Sequence, residues 1–295
     1  MDPLDEGSRS GPSSDSGLVR VSFPGHEYTL HGHQGEYVRT TIDRWGLWEP
    51  RLTRVIDQIL GAGDPQRDGA FVDCGAHIGY YTLLAVQHGY DSIAIEPLFY
   101  REIERAAAEN SVGDLIEIRP VAVGSASSTC IMRRYGETGL SQVIVDDALP
   151  SDWHRSKTHE VEQIDGIPMV TLDSIVGHRP IRILKIDVEG LEPAVLDGFS
   201  QGLRRRLAYA ILLEVTPRFL GVEASVKLAK RVVSAGYAAF DLGIVESGQY
   251  DESDVLGALR SLDNGALRSV LAREPQTNLL FVRTPRHRRW GMRTC

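Results

Sequence analysis

Short apolar runs in this sequence repeatedly end in a carboxylate, and these acids are the residues best placed to do chemistry. RILKIDVEGLE carries Lys185, Asp187 and Glu189, and LLEV delivers Glu214. On an extended strand Lys185 and Asp187 share a face, so one cation and three carboxylates are expected on one rim. Such a group can orient an acceptor hydroxyl and take its proton. Asp187 is expected as the principal catalytic or orienting acid, with Glu189 and Glu214 supporting and Lys185 tuning the local charge. A purely structural reading competes with it: Asp187 and Glu189 cap the helix starting at Glu192–Pro193, and Lys185 is a buried counter-ion. Asp187 and Glu214 could also hold Mg²⁺ through hard oxygen ligands, but no metal is predicted. His88, His154 and His159 are minor candidates for the base.

A second group of residues concerns a ligand. FVDCGAHIGYY places Asp73 before Gly75, Ala76, His77 and Gly79, and SIAIEP ends in Glu96 and Pro97. A strand, a glycine-rich turn and a helix suit several ligands in an open α/β sheet. A phosphate loop needs Gly-Lys-Ser/Thr, but Tyr80 and Tyr81 follow Gly79. The dinucleotide frame from Gly75 fails at His77 and Tyr80. Asp73 at the mouth of the turn would repel a pyrophosphate and attract the ammonium of an amino-acid tail. S-adenosylmethionine has that tail, and Glu96 can accept its ribose hydroxyls, with bonds to a charged group worth about 1.5–3 kcal/mol each.

These residues need a scaffold. From Ala70 the sequence alternates short apolar strands with helices, which implies a parallel sheet covered on both faces. Ser127–Val145 reads as an inserted antiparallel pair and Asp146–Gly166 as a long loop or lid. AAFDLG and NLLFVR close the sheet, the latter antiparallel. Upstream, Leu18–Arg39 suggests one or two hairpins, and Pro50 opens a helix ended by Gly61 and Gly63. Trp45, Trp48 and Glu49 precede that helix and either pack there or cover the ligand. His26, His31 and His33 lie within Leu18–Arg39; the H-x-H pair His31 and His33 invites a metal reading, but without further ligands the two are read as exposed strand residues. The resulting divisions are a disordered leader (1–17), a hairpin-and-helix extension (18–66), a main domain (67–284) and a basic tail (285–295).

Composition narrows the class. The 295 residues are 42% hydrophobic and 24% charged, with a net charge of −8, which fits a globular protein and argues against a nucleic-acid partner. Cys74, Cys130 and Cys295 form neither a disulfide framework nor a metal knuckle. With no apolar segment of membrane-spanning length, a cytoplasmic protein acting on a small molecule is expected, and self-association is compatible with the sequence.

DCGAHIGYYT, IAIEP, Asn110, PVAVG, VTLDSI, LKIDVEGLE, LLEV and TNLLFVR together resemble the FkbM-type S-adenosylmethionine-dependent methyltransferases, from about Trp48 to Val282. The resemblance implies a class I (Rossmann-like) methyltransferase fold, a seven-stranded, mostly parallel sheet with an antiparallel last strand. It implies O-methylation of a sugar, polyketide or other secondary metabolite, as in antibiotic biosynthesis. Val121 and Ala122 would then flank the adenine, and Ser141 would lie near the mouth of the site. His77 stands where Asn is usual. N-methylation of an amine and a catalytically silent binding module are the alternatives.

Overall fold

The computed structural model describes residues 17–32, 37–135, 141–144, 161–244, 248–250 and 252–285. The expected leader, the basic tail, His33, His154 and His159 therefore lie wholly or almost wholly outside the described residues. The chain begins with a hairpin, β1 (Leu18–Phe23) and β2 (His26–His31). Helix α1 (Tyr37–Trp45) follows, overlapping only the last three residues of the Leu18–Arg39 region read as one or two hairpins. Its YVRTTIDRW buries only Thr41 and Ile42, adjacent residues that leave no helical periodicity to read. Helix α2 (Pro50–Gly61) starts at Pro50 as expected and buries Leu52, Val55, Ile56, Ile59 and Leu60 on one stripe.

The alternating region then unfolds in order: β3 (Ala70–Cys74), α3 (Tyr80–Gln87), β4 (Ser92–Ile95), α4 (Tyr100–Glu109) and β5 (Ile116–Arg119). An insertion departs here, formed by β6 (Ala122–Val123), β7 (Ser128–Tyr135), β8 (Ser141–Ile144) and β9 (Val161–Val170). These four make their own sheet in the order β6-β9-β7-β8, with β7 and β8 antiparallel as expected. The segment read as a loop up to Gly166 is already strand β9 from Val161, paired to β7 across VEQI before a bulge at Asp165–Gly166.

After α5 (Leu172–Val176) come β10 (Ile181–Ile186), α6 (Glu192–Gly198), α7 (Ser200–Arg205) and β11 (Ala208–Val215). The chain continues through α8 (Pro217–Leu220), α9 (Val222–Ser234), β12 (Tyr237–Gly243), α10 (Val255–Ala258), α11 (Asn264–Arg273) and β13 (Thr277–Arg283). The main sheet runs β12-β13-β11-β10-β3-β4-β5. Only β13 is antiparallel to its neighbours β11 and β12. This is the class I arrangement anticipated from NLLFVR.

Side-chain alternation decides what each face carries. Val72, Leu184, Ile211 and Leu213 pack in one cluster with α6, α7 and α9. Phe71, Ile183, Ala210, Leu212 and Leu280 pack in the other with α2, α3 and the hairpin. Asp73, Lys185, Glu214 and Asn278 fall two residues from members of that second set, so they emerge on the face beneath α2 and α3. Register fixes the neighbours: Lys185 lies beside Asp73, and Glu214 opposite Asn278. No helix among the described residues is long and apolar enough to cross a membrane.

Candidate active site

At the carboxyl ends of β3, β4, β10 and β11 a cavity of about 580 Å³ opens. Gly75, Ala76, His77, Glu96, Pro97, Val121 and Ala122 line one part, and Lys185, Asp187, Glu189 and Glu214 line the other. Eleven of the residues singled out in the sequence thus meet around one space. Trp48 and Glu49 join them, while Trp45 is exposed and outside the wall.

The glycine turn is built by close approach. Gly75 has φ +81°, and a Cβ there would stand 1.8 Å from the Asp187 carbonyl oxygen. Only glycine brings the β3 and β10 ends this close at that dihedral. Gly79, at φ +88°, works behind the wall: it opens α3, and its Cα faces the Ile103 side chain of α4. His77 adopts φ 51° and offers its amide to Glu96 at 3.0 Å.

Glu96 Oε1 accepts the amides of Leu98 and Phe99 at 2.8 and 3.1 Å, and Oε2 that of His77. A carboxylate has roughly four lone-pair sites, so three are filled, two by its own turn and one by the glycine turn, and capacity remains on Oε2. That suits one strong bond to a hydroxyl, where the sequence reading expected two. Burial raises the Glu96 carboxyl to about 7, against the pull of the three amides.

Asp73 requires a correction. Expected at the mouth, it is only 1% exposed and absent from the cavity wall. Its Oδ2 accepts the Thr82 hydroxyl at 2.8 Å, and burial raises its carboxyl while Lys185 beside it lowers it. Strand alternation puts Asp73 on the same face as Phe71, but that α3 covers this face leaves no local trace in the sequence. Ser141 begins β8, and its side chain lies outside the described residues.

On the other part of the rim, Lys185 Nζ donates to Asp187 Oδ2 at 2.8 Å. Burial opposes the charge of Lys185, yet Asp187, Asp73 and Glu49 together raise its pKa. Glu189 sits at φ 53°, and burial and the Asp187 charge push its carboxyl up to about 8. Burial, with Asp187 and Glu189, raises Glu214 well above the carboxylate range. Gln276 Nε2 donates to Glu214 Oε1 at 2.6 Å. The structural reading of these acids is half right. Lys185 is a buried counter-ion, but Glu192 accepts the Gly190 amide at the start of α6, and neither Asp187 nor Glu189 caps that helix.

One oxygen each of Asp187, Glu189 and Glu214 lies within 4.8 Å of the others, close enough to hold a cation. His26, Asp57 and His88 form a second such group. His26 Nε2 is 2.8 Å from Asp57 Oδ1, and His88 Nε2 is 2.9 Å from the same atom. Asp57 Oδ2 accepts from Arg54 and Tyr250. Burial works against the Asp57 charge, but these bonds hold its carboxyl well below the usual range. With every lone pair taken by protein donors, the cluster pins the hairpin to α2 and to the end of α3.

Sequence reasoning missed Gln276, Asn278 and Arg218. Gln276 and Arg218 line the cavity, and Asn278 Nδ2 donates to Glu49 at 3.2 Å. Polar residues at the start of a closing strand, TN before LLFVR, are the one local sign that this strand end faces something other than core.

The model of the methyltransferase FkbM domain matches residues 73–235, more than half of the chain. Among solved structures, a methyltransferase FkbM from Methylobacillus flagellatus is similar, with 16% identity and a TM-score of 0.41 over 72% of this chain and 43% of that one. A SAM-dependent methyltransferase from Agrobacterium tumefaciens is similar with 11% identity and a TM-score of 0.43, over 90% of this chain and 69% of that one. The chain thus spans less than half the length of the Methylobacillus protein. No curated protein matches it.

Proposed function

The chain belongs to the FkbM methyltransferase family, and from that premise we propose that it transfers a methyl group from S-adenosylmethionine to a hydroxyl of a small molecule. The observation that carries the reading is the division of one cavity. Glu96 and the Gly75 turn line one part, and Asp187, Glu189 and Glu214 line the other. The residues fit the cofactor: beside the Gly75 turn, Glu96 keeps an acceptor site for a ribose hydroxyl. Val121 and Ala122 offer apolar surface for the adenine.

When bound, S-adenosylmethionine supplies a methyl carbon made electrophilic by its sulfonium. The chain's task is alignment and proton removal. Asp187, fixed by Lys185, would orient the acceptor hydroxyl. Glu189, raised to about 8, is matched to taking a proton near neutral pH. Trp48 and Tyr37, packed edge-on with ring centroids 5.5 Å apart, would form an apolar wall for a ring-bearing acceptor such as a sugar or polyketide.

A second reading, N-methylation, is favoured by one observation: five cavity carboxylates (Glu49, Glu96, Asp187, Glu189 and Glu214) against Lys185 and Arg218 suit a cationic amine. The test is incubation with methyl-labelled cofactor and a panel of sugar, polyketide and amine acceptors, with and without EDTA. Label on a hydroxyl, undiminished by EDTA, is expected because Lys185 already provides the cation beside Asp187. Label confined to amines would replace the first reading by the second, and no transfer to any acceptor would count against both.

A further inference from the structure

Asp73 leaves a position to fill. The carboxylate expected to meet the cofactor's amino-acid tail is sealed under α3 with Thr82 and Lys185. Another acid takes its place on the wall. Glu49 is 6% exposed, lines the cavity, and precedes α2.

Its backbone is held at φ 42°, ψ 71°. A residue before proline is steered to extended conformations, and a non-glycine residue with left-handed dihedrals persists only where its surroundings enforce them. Glu49 departs from both preferences, and its side chain is buried at the cavity wall. Two donors then aim the carboxylate. Tyr81 Oη, in the first turn of α3 directly after the glycine turn, donates to Oε2 at 2.7 Å. Asn278 Nδ2 donates to Oε1 at 3.2 Å. Each oxygen keeps a lone pair for a further donor. Burial raises the Glu49 carboxyl, and the nearby Lys185 lowers it. Because Asp187 holds Lys185 at 2.8 Å, a bound cation would complete the compensation of this buried acid.

We propose that Glu49 is the carboxylate that receives the ammonium group of the cofactor's amino-acid tail. The assignment rests on the S-adenosylmethionine reading above and adds the residue that recognises the end of the ligand remote from the ribose. Glu49 is then a binding residue, with Tyr81 and Asn278 positioning it.

Calorimetric titration of the full chain and of Glu49→Gln with two ligands tests it. S-adenosylhomocysteine carries the ammonium, whereas 5′-methylthioadenosine has the same adenosine and sulfur without the tail. Glu49→Gln should weaken S-adenosylhomocysteine at least tenfold and change 5′-methylthioadenosine less than twofold. Unchanged S-adenosylhomocysteine affinity would overturn the proposal. Equal losses for both ligands would also overturn it, because they would make Glu49 a structural strap. Failure of the unaltered chain to bind either ligand would overturn the cofactor reading itself, a result seen before any variant is made.

Discussion

Glu96 follows β4 and Asp187 follows β10, on either side of β3, yet the molecule holds these two carboxylates by different means. Glu96 is satisfied by backbone amides, two from its own turn and one from the glycine turn beside it. Asp187 is held by a side chain, Lys185. Its neighbours Glu189 and Glu214 are flanked by like charges, by Gln276 and by the charge of Arg218. A carboxylate fixed by backbone is part of the fold and suits an invariant ligand. Carboxylates held by side chains and crowded by like charges suit the reacting end, where a proton must be moved.

The largest expected effect lies on the second side. Asp187→Asn keeps the shape and a partner for Lys185 but removes the charge. It should lower kcat at least a hundredfold, within the range for a lost acid–base or orienting group. S-adenosylhomocysteine affinity, measured by calorimetry, should stay within about threefold. Loss of binding as severe as loss of turnover would dissolve the distinction between the two sides.

Gly75→Ala attacks the boundary between them. Its Cβ would collide with the Asp187 carbonyl, at a φ that alanine rarely adopts. A stability loss of about 2 kcal/mol or more is expected, read as a fall in Tm together with weakened S-adenosylhomocysteine binding. An alanine variant with unaltered Tm would show that the two strand ends need not meet so closely.

A smaller effect concerns pH. Glu189 is raised from 4.5 to about 8, and the folded chain therefore binds more protons than the unfolded chain across that interval. The stability this group contributes is fully present below the unfolded value and is lost as pH rises through about 8. Tm of the ligand-free protein should fall between pH 5.5 and 8.5 while kcat rises over the same window. Glu189→Gln should reduce both slopes, leaving the share of Tm loss that Glu96 and Glu192 contribute. Parallel slopes in variant and wild type would assign them to other groups, Glu96 and Glu192 among them.

The two sides also differ in how far the sequence reveals them. FVDCGAHIGYY and SIAIEP each hold a strand, its terminal acid and the following turn within a dozen residues, so local pattern suffices to place Gly75 and Glu96. The alternation that builds the sheet, the antiparallel NLLFVR strand and the start of α2 at Pro50 are local in the same sense. Asp73 was misplaced because strand parity is visible locally but the covering helix is not. Glu49 and Asn278 are 229 positions apart, and Gln276 meets Glu214 across 62. Contacts at that separation leave no periodic trace. The His26–Asp57–His88 cluster is hidden for the same reason, each member lying on a different element.

On the proposed reading, the Glu96 side of the cavity holds S-adenosylmethionine. Calorimetric titration of S-adenosylhomocysteine into the full chain and into Glu96→Ala tests it most directly. A single site in the unaltered chain and at least tenfold weaker binding in the variant, about 1.4 kcal/mol, with little change in Tm, are predicted. Equal affinity in the two proteins would contradict it.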